Sequence, residues 1–375
     1  MTRRHTPAAV LLTAALLCLP CRAAGEVADG SADEEEEAGR FGSQVLECAV
    51  TEPDDGVRME ERVVLCADRE TRRLLYLFAD TARCTVTVAL PGDAAAIDGG
   101  TGASLGEMAE ACEEKGGRVL AAVNGDFYKT GSDGGAEYAP FAPLGVVIKD
   151  GLSVSEGQRA EGAAFFGMTA DGMPVIGSAE PGGEWDSVKA ELQTAVGGEL
   201  WLVKDGRGNS ADLTWRVDSP TLSARYGPAG RGDAGEGLSS YPRTAVGYRE
   251  DGTVVVLVAS PGYETAGLTV PQLAALMLEE GCVQAMNLDG GPSSQLWVRG
   301  EDGLKNVTAR GTSGKIGNGL LFLIGTPGEA EGAGEAAEAA ANGGGSWLVW
   351  LPTVLVFAAA AYLWLFKKPK QGKHQ

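Results

Sequence analysis

Between residues 43 and 326 the chain is written in short apolar runs, most of them closed by a glycine-containing turn, and that rhythm builds sheets. Residues 73–78, 85–90, 118–123, 145–149, 200–203, 283–287, 295–298 and 319–324 read as strands. Asp171-Gly172 between runs 164–168 and 174–176, and Glu250-Asp-Gly252 between 244–248 and 253–259, read as hairpin turns. Asp150-Gly151 and Asp205-Gly206 close two further runs. Two helices interrupt the pattern. The first, 104–115, has Ser104 as N-cap, Glu107 completing a capping box and Gly116-Gly117 at its end. The second, 270–280, has Thr269 as cap and Pro271 in its first turn. The expectation is an α+β fold: a mixed β-sheet core flanked by helices, in a single catalytic domain.

The ends of the chain are of another kind. Residues 1–25 read as a signal peptide, with Arg3 and Arg4, an apolar stretch from 8 to 19 and small residues 23–25. Residues 26–42 are an acidic spacer, and 327–346 an Ala/Glu/Gly-rich linker. Residues 347–366 are apolar and uncharged, long enough as a helix to span a bilayer of about 30 Å. Four lysines in the tail 367–375 place that end in the cytoplasm. The expected topology is a type I single-pass membrane protein at the cell surface, its body extracytoplasmic. Five cysteines follow the leader: Cys48, Cys66, Cys84, Cys112 and Cys282. In an oxidising compartment they suggest up to two disulfides and a leftover thiol; buried thiols are the other reading.

Composition removes whole classes of chemistry. The only histidines are His5 and His374, so the body holds no Ser-His-Asp triad, Cys-His dyad or histidine zinc site. A formal charge of -20 excludes a nucleic-acid partner, which requires a basic face. Carboxylates, amides, hydroxyls and arginine remain. No cofactor is expected, and a metal reading would leave room only for an oxygen-liganded ion such as calcium or magnesium.

One pattern occurs twice. Helix 104–115 and strand 118–123 end in Asn124-Gly-Asp126, and helix 270–280 and strand 283–287 end in Asn287-Leu-Asp289. Strand ends of this kind favour ligand sites, so both acids are expected to face one cleft. After Asp289, Gly290-Gly291-Pro-Ser293-Ser294 offers close backbone approach and an N–H nest for an anion. Phe127 and Tyr128 put aromatic faces beside an amide and an acid, as sugar binding needs. Arg243 and Thr244 open a strand, and the arginine fork matches phosphate oxygens. Gly311–Ile316 lacks the spacing of a phosphate-binding P-loop, and Asn306-Val-Thr308 is a glycosylation sequon.

Taken in order, AVNGDFY at 122–128, GVVIKDG at 145–151, FGMTADGMPVIG at 166–177, PRTAVGYREDG at 242–252, NLDGGPSSQLWV at 287–298 and GNGLLFLIG at 317–325 resemble the phosphodiester glycosidase family. Asp126 stands where that family often has glycine, as does Pro292. The growth-factor-like module of animal members is missing, which points to a bacterial-type member. The resemblance implies hydrolysis of a sugar 1-phosphodiester to free sugar and a phosphomonoester, with a glycan or sugar-phosphate substrate, in envelope or exopolysaccharide processing. It implies Asp289 as principal catalytic carboxylate, with Asn124 orienting sugar or water. Asp126 and Glu264 are the candidates for a second carboxylate. Arg243, Thr244, Asn287 and Gly290, Gly291, Ser293 and Ser294 would hold the substrate. Two alternatives stand beside this: a non-catalytic phosphoglycan-binding surface protein, and a metal-dependent phosphodiesterase using Asp126 and Asp289.

Overall fold

The computed structural model describes residues 44–93, 101–129, 140–157, 163–179, 184–213, 236–259, 266–308 and 314–325. The expected signal peptide, acidic spacer, linker, membrane span 347–366 and basic tail lie outside the described residues, as does Glu264. Among the described residues no helix is long and apolar enough to cross a membrane.

In chain order the strands are β1 (Gln44–Asp54), β2 (Val57–Leu65), β3 (Thr71–Ala79), β4 (Thr85–Ala89), β5 (Arg118–Asn124), β6 (Val146–Lys149), β7 (Leu152–Glu156), β8 (Ala164–Thr169) and β9 (Pro174–Ser178). They continue with β10 (Leu192–Gly197), β11 (Trp201–Lys204), β12 (Arg207–Gly208), β13 (Arg243–Arg249), β14 (Val254–Ala259), β15 (Cys282–Asn287), β16 (Leu296–Gly300), β17 (Gly303–Asn306) and β18 (Gly319–Ile324). The helices are α1 (Leu105–Glu113), α2 (Glu184–Val188) and α3 (Val270–Glu279). The strands form an eight-stranded sheet, β1-β2-β3-β14-β13-β15-β11-β12, and two five-stranded sheets, β7-β6-β10-β8-β9 and β17-β16-β5-β18-β4.

The fold is mostly β, and the expected mixed sheet is corrected. Every pairing between these strands is antiparallel. The turns explain much of this, because a parallel pair needs a crossover of a dozen residues or more. Asp150 and Gly151 (φ 52° and 74°) and Asp205 and Gly206 (φ 51° and 71°) are successive left-handed residues that return the chain at once.

One core lies among the three sheets. Leu75, Leu77, Val254, Val256, Val258 and Met286 of the large sheet meet Val147, Phe166 and Val196 of the second and Leu120, Leu320 and Phe322 of the third. A helix covers the outer face of each sheet. Leu273, Ala274 and Met277 of α3 pack on Tyr76, Ala245 and Leu257, and Leu105, Met108 and Cys112 of α1 pack on Ala122 and Leu321. Trp185 of α2 packs on Phe165, their ring centroids 4.9 Å apart. β14 is therefore buried on both faces, which accounts for its unbroken apolar sequence. Both long helices carry the expected caps, and α3 completes a capping box through Gln272.

The disulfide expectation is also corrected. None of the five cysteines is bridged; Cys48 is exposed and the other four are buried in the packing. Burial pushes the Cys84 and Cys282 thiols up to about 12 and Cys112 up to about 11.

Candidate active site at the meeting of two sheets

β5 and β15 belong to different sheets, yet their carboxyl ends meet. The Asp289 N–H donates to the Gly125 carbonyl at 3.0 Å. Asn124 Nδ2 donates to the Asp289 carbonyl at 2.8 Å, so the two Asn-x-Asp turns hold each other. The Leu288 N–H donates to the Thr244 carbonyl at 2.9 Å, which brings in β13.

A buried polar cluster supports this contact. Asn124 Oδ1 accepts from Thr244 Oγ1 at 2.9 Å and from the Gln295 N–H at 3.1 Å. Ser294 Oγ lies 3.1 Å from Thr244 Oγ1. A hydroxyl has one proton, so Thr244 Oγ1, the donor to both, shares it between Asn124 and Ser294. Asn124, Thr244 and Ser294 are each at most 1% exposed, so the cluster braces the turns from beneath.

The two acids differ. Asp126 is buried, and its Oδ2 accepts from the Gly145 N–H. A Cβ on Gly145 would lie 2.8 Å from that oxygen and 2.7 Å from the Gly197 Cα. One on Gly197 would lie 2.6 Å from the Gly145 Cα, so only glycine fits at either position. Asp289 is half-buried, and its Oδ1 accepts from the Gly290 N–H at 2.8 Å.

The expected anion nest after Asp289 is corrected. Gly290 donates to Asp289, Gly291 to the Pro242 carbonyl at 2.9 Å, Ser293 to Gly290 at 3.2 Å and Ser294 to Gly291 at 3.1 Å. Pro292 has no N–H, so the donors of this loop are spent on Asp289, on Pro242 and on its own turn. Ser293 Oγ sits 3.4 Å from the Tyr128 phenol, which also donates to the Lys315 carbonyl at 3.3 Å. The Tyr128 ring leans on Phe141, centroids 5.2 Å apart.

Two expected substrate residues lie apart from this group. Asn287 turns its Oδ1 to the N–H groups of Leu200 at 2.6 Å and Glu199 at 3.3 Å, joining β15 to the β10–β11 turn. Arg243 alternates with Thr244 on β13, so their side chains leave opposite faces. Its Nε and Nη2 donate at 3.0 Å to the carbonyls of Leu268 and Ser239, and its guanidinium lies 5.5 Å from the Tyr241 ring. Sequence adjacency suggested one phosphate clamp; alternation separates the pair. Among the described residues no three His, Cys, Asp or Glu side chains gather as a metal site. A cleft of about 480 Å³ lies at the opposite end of the large sheet, where Glu52, Asp54, Asp55 and Asp80 outnumber the single basic lining residue, Arg58.

Residues 117–323, over half of the chain, match the phosphodiester glycosidase family. The chain belongs to this family. It is 32% identical over 165 residues to a prophage-derived uncharacterized protein of Bacillus subtilis, an alignment covering 42% of this chain and 22% of that protein. It is 28% identical over 164 residues to N-acetylglucosamine-1-phosphodiester alpha-N-acetylglucosaminidase of Mus musculus, covering 42% of this chain and 29% of the mouse protein. These matches span less than a third of the curated relatives' own length. The zebrafish catalytic domain of the same name has a similar fold, with a TM-score of 0.53 at 16% identity, covering 74% of this chain and 88% of that one. A hypothetical protein from Synechocystis is similar, with a TM-score of 0.51 at 13% identity over 74% of this chain and 64% of the other.

Within this phosphodiester glycosidase domain, the sequence reading missed the residues that join elements. Gln295 accepts from Trp297 Nε1 at 3.1 Å while its N–H serves Asn124. Glu199 is a buried acid in the β10–β11 turn. Asn318 accepts from the Asp126 N–H at 2.8 Å. Glu199 and Asn318 are polar residues beside glycine and Gln295 opens an apolar run, and that was the signal available.

Proposed function

We propose that this chain hydrolyses the glycosidic bond of a sugar 1-phosphodiester at the meeting of β5 and β15. The observation that carries the reading is the reciprocal docking of the two Asn-x-Asp turns, which sets a half-buried Asp289 over a fully bonded polar base. Family membership supports the reaction class.

In the proposed step the bond between the sugar C1 and the bridging oxygen breaks. Its electron pair leaves on the phosphate oxygen, water supplies the hydroxyl to C1, and the water's second proton ends on the phosphomonoester or in solvent. The leaving group is a good one, so protonating it demands little. Asp289 is the carboxylate that assists at C1, directly or through the water. Tyr128 and Ser293 at the rim offer hydroxyl groups and an aromatic face to the sugar. Asn124, Thr244 and Ser294 act through the turn rather than on substrate. The expected signal and membrane span would place this activity at the cell surface, on envelope glycan.

The test is release of free sugar from a nucleoside-diphosphate sugar and from a simple sugar-phosphoryl ester, wild type against Asp289→Asn. Equal turnover by both would remove Asp289 from the reaction; binding without turnover in the wild type would make the protein a phosphoglycan binder.

A further inference from the structure

Asn318 joins the third sheet to the proposed site. It is fully buried, one residue before β18 begins. Its Oδ1 accepts from the Asp126 N–H at 2.8 Å, and its carbonyl accepts from the Gly125 N–H at 3.1 Å. The contact is close: a Cβ on Gly125 would lie 2.1 Å from Asn318 Oδ1 and 3.2 Å from the Gly319 Cα. Asn318 thus holds both amides of the Gly125-Asp126 step. The Gly125 carbonyl then takes the Asp289 N–H at 3.0 Å. Two bonds therefore separate Asn318 from the backbone of the acid.

The carboxamide can sit only one way. A flip would set its NH2 against the Asp126 N–H, donor against donor. In the observed orientation Nδ2 is buried and meets no protein acceptor. The oxygen is therefore the end that fixes the turn, and the nitrogen is the end a substitution can alter without breaking it.

We propose that Asn318 is a positioning residue for Asp289, acting through the Asn124-Gly125-Asp126 turn; this rests on the reading of Asp289 as the reacting acid. Two variants test it. Asn318→Ala removes the acceptor, and kcat is expected to fall about a hundredfold with KM within threefold, the mark of a displaced reacting group. Asn318→Asp keeps an acceptor but sets a second carboxyl beside Asp126. Like charges raise such a group's pKa, so activity should approach wild type at acid pH, where it is protonated, and fall toward neutral pH. A residue that served only the fold would lose activity only in step with the unfolded fraction.

Amide hydrogen exchange supplies a measure independent of turnover. In Asn318→Ala the Asp126 and Asp289 amides should exchange faster while the Leu120–Val123 amides of β5 keep their protection. The proposal is overturned if both variants keep kcat within twofold at every pH, if the loss follows the unfolded fraction, or if the two amides keep wild-type exchange. If the wild type releases no sugar, the proposed function fails, and exchange at Asp126 and Asp289 still decides whether Asn318 holds the turns.

Discussion

The turns 124–126 and 287–289 share a sequence pattern and have opposite fates. In the first, the amide side chain faces the second turn and the acid goes inward: Asn124 bonds to Asp289, Thr244 and Gln295, and Asp126 bonds to Gly145 between two glycines. In the second, the amide goes to the fold and the acid stays half-open: Asn287 binds the β10–β11 turn, and Asp289 rests on Gly290. The same pair of residue types thus divides into a support and a working edge. What separates them is the element each turn meets, a second turn in one case and a strand connection in the other.

Six substitutions can break that division, from the largest expected effect to the smallest. Asp289→Asn should lower kcat about a thousandfold or more while the thermal midpoint stays within a few degrees. Asp126→Asn gives the contrast, and an equal loss of turnover without loss of stability would mean the two turns share the chemistry. Gly197→Ala drives a methyl to 2.6 Å from the Gly145 Cα and should cost about 3 kcal/mol in chemical denaturation. A neutral result would show that the Asp126 pocket can open.

Asn124→Ala and Asn287→Ala each strand buried groups and should each cost about 2 kcal/mol of stability. Only the first should also lower kcat, because Asn124 bonds to Asp289 while Asn287 Oδ1 bonds to the β10–β11 turn. Parallel kinetics for the two would erase the distinction. Ser294→Ala removes one hydroxyl from beneath Thr244 and should cost about 1 kcal/mol, read as a small fall in the denaturation midpoint.

Much of the fold was legible in local chemistry. Ser104 and Thr269 mark helix starts because their hydroxyls meet first-turn amides, and Asp-Gly pairs mark left-handed returns. The β1–β2 hairpin was not legible. β1 is largely exposed, and β2 carries Glu60 between Arg58 and Arg62, with Arg62 reaching Glu280 at 2.5 Å. Those charges read as surface until Glu280, at the end of α3, is known as a partner. In the site, the echo of Asn-x-Asp suggested that both acids face one cleft; the two turns do meet, but Asp126 goes inward to Gly145. The echo could not announce that Arg243 leaves the other face of β13, or that the 290–294 amides are taken by Asp289, Pro242 and their own loop. Strand register and loop closure decide those points, and neither is written in residue type.

The docking of β5 on β15 has a consequence for heat inactivation. The proposed chemistry sits on a seam between sheets, so it gauges their alignment and not the integrity of either one. A slip of an ångström between them would leave every strand paired and still silence Asp289. On warming, sugar release should therefore fade before far-ultraviolet circular dichroism changes; coincident loss of both would mean the seam is as firm as the sheets it joins.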